Sequence, residues 1–340
     1  MERPVSLYAA SMLRIGYGLL YLAFLLREFP NRDTIWGPDS PWTPELAKEL
    51  FSQTGWSSVL TLSGNHAYFE ICYTSAVLVS ALFALGWRTR AMSVLFAVVV
   101  ASFHARAILM TDGGDNLVLL MSVYLVFTAC GRRWSLDSRR ARLRSPGGGS
   151  PRRANIRRWT VRKASGPLHP FAAARETVTV VLHNCAMLVI AGQLCVLYGS
   201  AGLYKVQGGT WGNGTALHYV LNLDLFRPWP ALSQLADGHA MLIAVIGYLT
   251  VLVQVAFPFA LFSRLKYPVL VMLLGMHAGI AVLMGLPLFS GAMIIADATF
   301  LPDRFYRSLG ARGRQALHAL RTTGRASGAA VPREDPALHT

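Results

Sequence analysis

The chain has 340 residues, of which 53% are hydrophobic and 14% charged, with a mean hydropathy of +0.40 and a net charge of +15. A soluble domain carries about a quarter of charged residues, so this composition excludes an ordinary water-soluble globule. Several apolar runs reach the roughly 20 residues that a helix needs to cross a bilayer, and the basic residues sit between those runs, where topology rather than nucleic-acid binding accounts for them.

In chain order, the apolar segments cover 7–26, 67–86, 91–110, 115–130, 178–203, 240–262, 267–286 and 288–302. These are about eight membrane segments of an all-α integral membrane protein, the fourth and the last being short. The first lacks a small-residue cleavage site and reads as a retained span. The loop 27–66 that follows is rich in aromatics, and its stretch "TPELAKELFSQTG" is an amphipathic helix with Thr43 as cap and Pro44 at the first helical position. Such a helix is placed to lie on the outer face as a lid.

The loop 131–176 holds 13 basic and two acidic residues and is therefore cytoplasmic. Its stretch "RSPGGGSPRR" is a flexible linker between the membrane segments of 1–130 and those of 177–305, and 306–340 is a basic, partly disordered tail. With that loop inside, 25 basic residues fall on the cytoplasmic side and five outside. This distribution requires an even number of spans with both termini cytoplasmic, in a plasma membrane. Cys72, Cys130, Cys185 and Cys195 all lie in apolar segments at spacings that match no metal motif, and they read as buried apolar residues.

Ionisable residues inside a bilayer cost about 2.5–3.5 kcal/mol at mid-depth and each needs a reason. Arg14 and Asp297 lie toward the inside with opposite signs at similar depth, which predicts a structural ion pair between the first and last segments. Toward the outside lie His66, Glu70, His104, Arg106, Asp112, Asp115 and Lys205, with His277 near the middle of its span in a "GMHAG" packing pattern. Asp115 and Asn116 open the fourth segment after a two-glycine turn, where an aspartate suits a helix N-terminus. Tyr198 and Lys205 share one helix face, and Lys205 is followed by "GGTWGNG", whose glycines permit a close backbone approach. Lys205 is either a snorkelling anchor with Trp211 beside it or a group that does chemistry. Lysine is scarce in the chain, four residues against 28 arginines, and the positive-inside bias disfavours a cation on this side.

The stretches "GDNLVLLMSVYLVFTACGRRWSLD", "QLCVLYGSAGLYKVQGGTWGNGTAL" and "HAGIAVLMGLPLFSGAMIIADATFL", in that order, resemble the HTTM (horizontally transferred transmembrane) domain. That domain is the membrane core shared by vitamin K-dependent γ-carboxylase and many bacterial proteins. The resemblance covers about residues 7–305. It implies that Lys205 is the base that deprotonates a reduced quinone of the menaquinol or vitamin K hydroquinone type, with Asp115 standing about where the carboxylase has a histidine that positions the lysine. In the functional reading built on it, Asp115 and Asn116 are its positioners, Trp211, His218, Tyr198, His104 and Arg106 line the substrate cavity, and the helix over 43–54 covers it. No metal is implied. The chain lacks the large luminal domain of the carboxylase, which argues against a protein substrate. The expectation is therefore a quinol-dependent or lipid-substrate membrane enzyme with an outward-facing polar cavity. A non-catalytic partner in the maturation or export of a secreted peptide is the alternative, and a transporter or lipid-binding protein is the third. Transport would favour polar residues at mid-depth, whereas most here lie at the edges.

Overall fold

The computed structural model describes residues 3–144, 169–313 and 315, and divides into a unit of Met1–Phe300 and a second unit of Leu301–Thr340. The expected linker "RSPGGGSPRR" lies, apart from Arg144, outside the described residues, as does the tail beyond 315. In the second unit a helix runs over 303–313.

The first unit is helical, with no strand among its described residues. Its helices are α1 (Leu7–Arg27), α2 (Arg32–Trp36), α3 (Pro44–Thr54), α4 (His66–Leu85), α5 (Thr89–Arg106), α6 (Gly113–Phe127), α7 (Leu136–Leu143) and α8 (His169–Val206). They continue with α9 (Gly209–Gly212), α10 (Ala216–Leu221), α11 (Pro230–Asp237), α12 (Ala240–Ala260), α13 (Lys266–Leu283) and α14 (Pro287–Asp297). Among the described residues five stretches, within α1, α4, α8, α12 and α13, are long and apolar enough to cross a membrane, which marks a helical membrane protein. The helices α6 and α14 are apolar but shorter, with 15 and 11 residues.

The expected segment at 178–203 is longer than its apolar run suggested. α8 has 38 residues, about 57 Å at 1.5 Å per residue, so the end of the basic loop is its first turns. Hydrophobicity marks where lipid can lie, whereas the helix continues as long as its backbone bonds do.

The core forms around α1, which packs on α4, α6 and α14; α5 joins α4 to α6, and α8 packs on α6 and α12. Ala9, Ala10, Leu13, Tyr17 and Leu25 of α1 are fully buried. Many large apolar side chains elsewhere are exposed, among them Leu188, Val196, Leu252 and Phe259 on membrane-length helices. Such outward apolar faces suit lipid, where association between helices rests on packing and polar contacts rather than on the hydrophobic effect. Cys130 is buried as expected, but Cys72 and Cys195 are only half-buried and Cys185 is exposed. An apolar segment does not imply burial in protein when one of its faces is turned to lipid.

The segment between α1 and α4 is docked by polar and apolar contacts. Thr43 accepts from the Leu46 N–H and Pro44 opens α3, as the sequence indicated. Ala47 and Phe51 of α3 pack with Trp42 on Ala105 of α5. Trp36 Nε1 donates to the Phe103 carbonyl at 3.2 Å. α3 therefore covers the C-terminal end of α5.

Candidate functional site

At the C-terminal end of α8, Lys205 Nζ lies 5.3 Å from the ring centroid of Trp211 and 3.4 Å from the Ala201 carbonyl. Among the described residues no carboxylate lies within ion-pair distance of it. Lys205 and Trp211 are walls of a cavity of about 360 Å³, completed by Val206, Gly212, Tyr248, Val251, Leu252 and Val255. Apart from the amine, the indole and the Tyr248 hydroxyl, which donates to the Gly212 carbonyl at 3.0 Å, the side chains of this wall are aliphatic. The exposed Tyr248 and Leu252 form its open side.

Local sequence explains the shape. The helix ends at Val206, and the turn through Gly208 brings Trp211 back over the last turn of α8. The helices approach closely below it: a Cβ on Gly202 would stand 2.8 Å from Val255 Cγ2 and 2.9 Å from the Val255 backbone nitrogen. Only a glycine lets α8 and α12 meet there and then diverge toward the cavity.

Asp115 and Asn116 are not part of this site. Asp112 is the cap of α6: its Oδ1 accepts from the N–H groups of Gly114 at 2.6 Å and Asp115 at 3.0 Å. Asp115 Oδ2 returns the bond to the Asp112 N–H at 2.9 Å, completing a capping box, and Asn116 Nδ2 donates to the Asp112 carbonyl at 3.0 Å. Asp115 thus satisfies an N–H donor at a helix start, Asn116 bonds to the backbone of the same turn, and neither bonds to Lys205.

His104, Arg106 and His218 also stand elsewhere than on the cavity wall. His104 is buried with its ring 6.1 Å from Trp56. Arg106 is fully buried and its Nη2 donates to the Gly37 carbonyl and to Ser40 Oγ, both at 2.8 Å. These two hold the segment between α1 and α4 onto α5. His218 Nδ1 is 2.6 Å from Asp237 Oδ1, joining α10 to α11.

The expected Arg14–Asp297 ion pair is not formed. Arg14 is fully buried and donates to the carbonyls of Phe83 at 2.8 Å, Ala84 at 2.6 Å and Trp134 at 2.7 Å. The open carbonyls at the C-terminus of α4 carry partial negative charge and suit a guanidinium. Gly86, at φ 70°, leaves the room: a Cβ there would collide with the guanidinium. Asp297 instead accepts from the Tyr198 hydroxyl at 2.9 Å, and the same hydroxyl lies 2.9 Å from His277 Nε2. Tyr198 thus belongs to a buried polar triad two turns down α8 from Lys205. Each member is visible in the sequence, but nothing in the spacing joins them.

A second cluster is likewise tertiary. Ligand-capable atoms of Asp33, His66 and Glu70 lie within 4.8 Å of one another. His66 Nε2 is 2.9 Å from Asp33 Oδ1, and Arg32 donates to Glu70 Oε1 at 2.9 and 2.8 Å. The guanidinium supplies the positive charge that these carboxylates need, so the cluster serves to tie α2 to α4. At the N-terminus of α5, Asp137 accepts from the N–H groups of Arg88 and Thr89 and from the Thr89 hydroxyl, capping the helix. Burial raises the Asp137 pKa, but these hydrogen bonds outweigh it and hold the carboxyl below its ordinary value.

Comparison with protein families, curated proteins and solved structures finds no match to this chain.

Proposed function

We propose that the chain is a multi-pass membrane protein of eight membrane segments with both termini in the cytoplasm, and that it binds a membrane-soluble phenolic ligand of the reduced-quinone class beside Lys205. The reading makes it a membrane enzyme resembling the γ-carboxylase core, with Lys205 as the base that takes the ligand's hydroxyl proton. One observation carries it: an amine without a carboxylate partner, resting on an indole face, forms the polar end of an aliphatic cavity open on one side.

The chemistry supports this in two ways. A base must hold a free lone pair, and a neighbouring carboxylate would stabilise the ammonium form; the engagement of Asp115 in its capping box removes that neighbour. Flat and aliphatic walls with few polar groups also suit an aromatic head group bearing an apolar tail. In this reading Trp211 stacks on the head group, Val251, Leu252 and Val255 contact the tail, and Lys205 holds the proton.

The test is extraction of quinones from purified protein, comparing the wild type with Leu252→Trp, which fills the cavity from its rim. Quinone should accompany the wild type and fall by at least about tenfold in the variant, the loss that 1.4 kcal/mol produces. Added menaquinol that neither binds the wild type nor distinguishes it from Leu252→Trp would overturn the reading. Lys205→Arg separates base from anchor, because arginine keeps the charge but does not deprotonate. It should retain the ligand and lose any turnover, whereas an anchor would tolerate it.

A further inference from the structure

Tyr198, His277 and Asp297 come from α8, α13 and α14 and are 1%, 2% and 8% exposed. The Tyr198 hydroxyl is 2.9 Å from His277 Nε2 and 2.9 Å from Asp297 Oδ2. A phenol has one proton, so it donates to one of these neighbours and accepts from the other. The outermost atoms of the chain of bonds, Asp297 Oδ1 and His277 Nδ1, are buried and have no partner among the described residues. Free polar atoms therefore remain at both ends of the wire and none at its middle. Among the described residues no lysine or arginine lies within ion-pair distance of Asp297. The other titratable group facing Asp297 is Tyr17 of α1, which gives its proton to the Ala292 carbonyl at 2.9 Å.

The geometry points to a three-residue proton wire, in which Tyr198 passes one proton between Asp297 and His277 by reversing both of its hydrogen bonds. In the filled state Asp297 carries a proton on Oδ2 and donates it to the phenol oxygen, Tyr198 donates to His277 Nε2, and the histidine proton is on Nδ1. In the emptied state Asp297 is a carboxylate that accepts from Tyr198, His277 Nε2–H donates to the phenol, and Nδ1 is bare.

Going from filled to emptied, the Asp297 O–H, the original Tyr198 O–H and the His277 Nδ1–H bonds break. A new Tyr198 O–H and a His277 Nε2–H form, and one proton leaves Nδ1 for a water molecule. Nothing is oxidised or reduced, and no heavy atom has to move, because each state uses the same two short separations. A proton returning from water to His277 Nδ1 reverses each of these moves, the Nε2 proton passing to Tyr198 and the Tyr198 proton to Asp297, and so refills the wire. The neutral filled state avoids an unpaired charge in an apolar interior, and the emptied state is the one that costs energy. This inference stands whether or not Lys205 acts as a base.

The test uses the full chain in lipid nanodiscs, with ¹⁵N-histidine and ¹³C-aspartate labels, titrated over pH. His277 is assigned from His277→Gln, and Asp297 from Asp297→Asn or, if that variant does not fold, from the band shift of Asp297→Glu. Nitrogen spectra should show His277 passing from the Nδ1–H to the Nε2–H tautomer. Infrared spectra should show the Asp297 carboxylic acid band disappearing at the same midpoint. In Tyr198→Phe, which keeps the ring but not the relay, the tautomer should no longer follow the carboxyl. A His277 that keeps one tautomer while Asp297 titrates, or a coupling that survives Tyr198→Phe, would overturn the wire.

Discussion

The Arg14 guanidinium donates to the Ala84 carbonyl at 2.6 Å, which ties the middle of α1 to the C-terminal end of α4. Phe83 and Trp134 give their carbonyls to the same guanidinium, so one cation of α1 closes three backbone groups from two other parts of the chain. Arg14→Met should lower unfolding stability by about 2–4 kcal/mol, since each buried carbonyl left without a donor costs about 1–3 kcal/mol. Denaturation in detergent micelles measures it. Exchanging Arg14 and Asp297 together should be at least as damaging as either single change. A double exchange that recovers wild-type stability would show instead that the two are paired.

Asp137 supplies a pH dependence whose sign is fixed by its hydrogen bonds. Its folded pKa lies below its ordinary value, so the carboxylate is the form that folding favours. Its contribution is complete above the unfolded pKa of about 3.9 and is lost as pH falls through the lower folded value. Amide exchange over 88–92, corrected for intrinsic rates, should stay slow from neutral pH to about 4 and speed up below it. Asp137→Ala should make this segment exchange faster at neutral pH by the worth of a helix cap, about 1 kcal/mol, and should remove the acid dependence.

Gly202→Ala should destabilise the pairing of α8 and α12 despite the better helix propensity of alanine. Propensity favours the change by about 1 kcal/mol. The added methyl meets a backbone nitrogen 2.9 Å away on Val255, which cannot move without its helix, and such overpacking costs about 1–3 kcal/mol. The melting temperature should fall. A rise would mean that α12 shifts freely and that the cavity above is plastic.

Arg106→Ala should release the segment between α1 and α4 while leaving the rest of the bundle folded. Its Nη2 is the donor that holds the Gly37 carbonyl and Ser40, and α3 then follows because it packs on the same end of α5. Limited proteolysis should cut within 37–58 faster than in the wild type, with the fragments of 66–144 unchanged. Equal cleavage rates would assign the docking to the other contacts of the segment, such as the Trp36 bond to the Phe103 carbonyl and its ring contacts with Phe103 and Tyr73.

Composition and hydropathy determined by themselves that this is a helical membrane protein, because crossing a bilayer requires only length and apolar character. They also located most helices, and local chemistry marked the Thr43 cap and the turn that returns Trp211 to Lys205. The tertiary structure decided every partner. Arg14 and Asp297 had compatible depth and charge, yet Arg14 meets helix-end carbonyls and Asp297 meets Tyr198. Depth along a helix is one-dimensional, whereas pairing depends on the direction in which each helix faces. Asp115 stands after the glycines near the resembled motif, but its nearest orphan donor is the Asp112 N–H three residues back, and a local bond forms without the entropy of bringing distant segments together. Tyr198, His277 and Asp297 are the converse case: three unremarkable positions far apart in the chain become one buried triad only when α8, α13 and α14 pack.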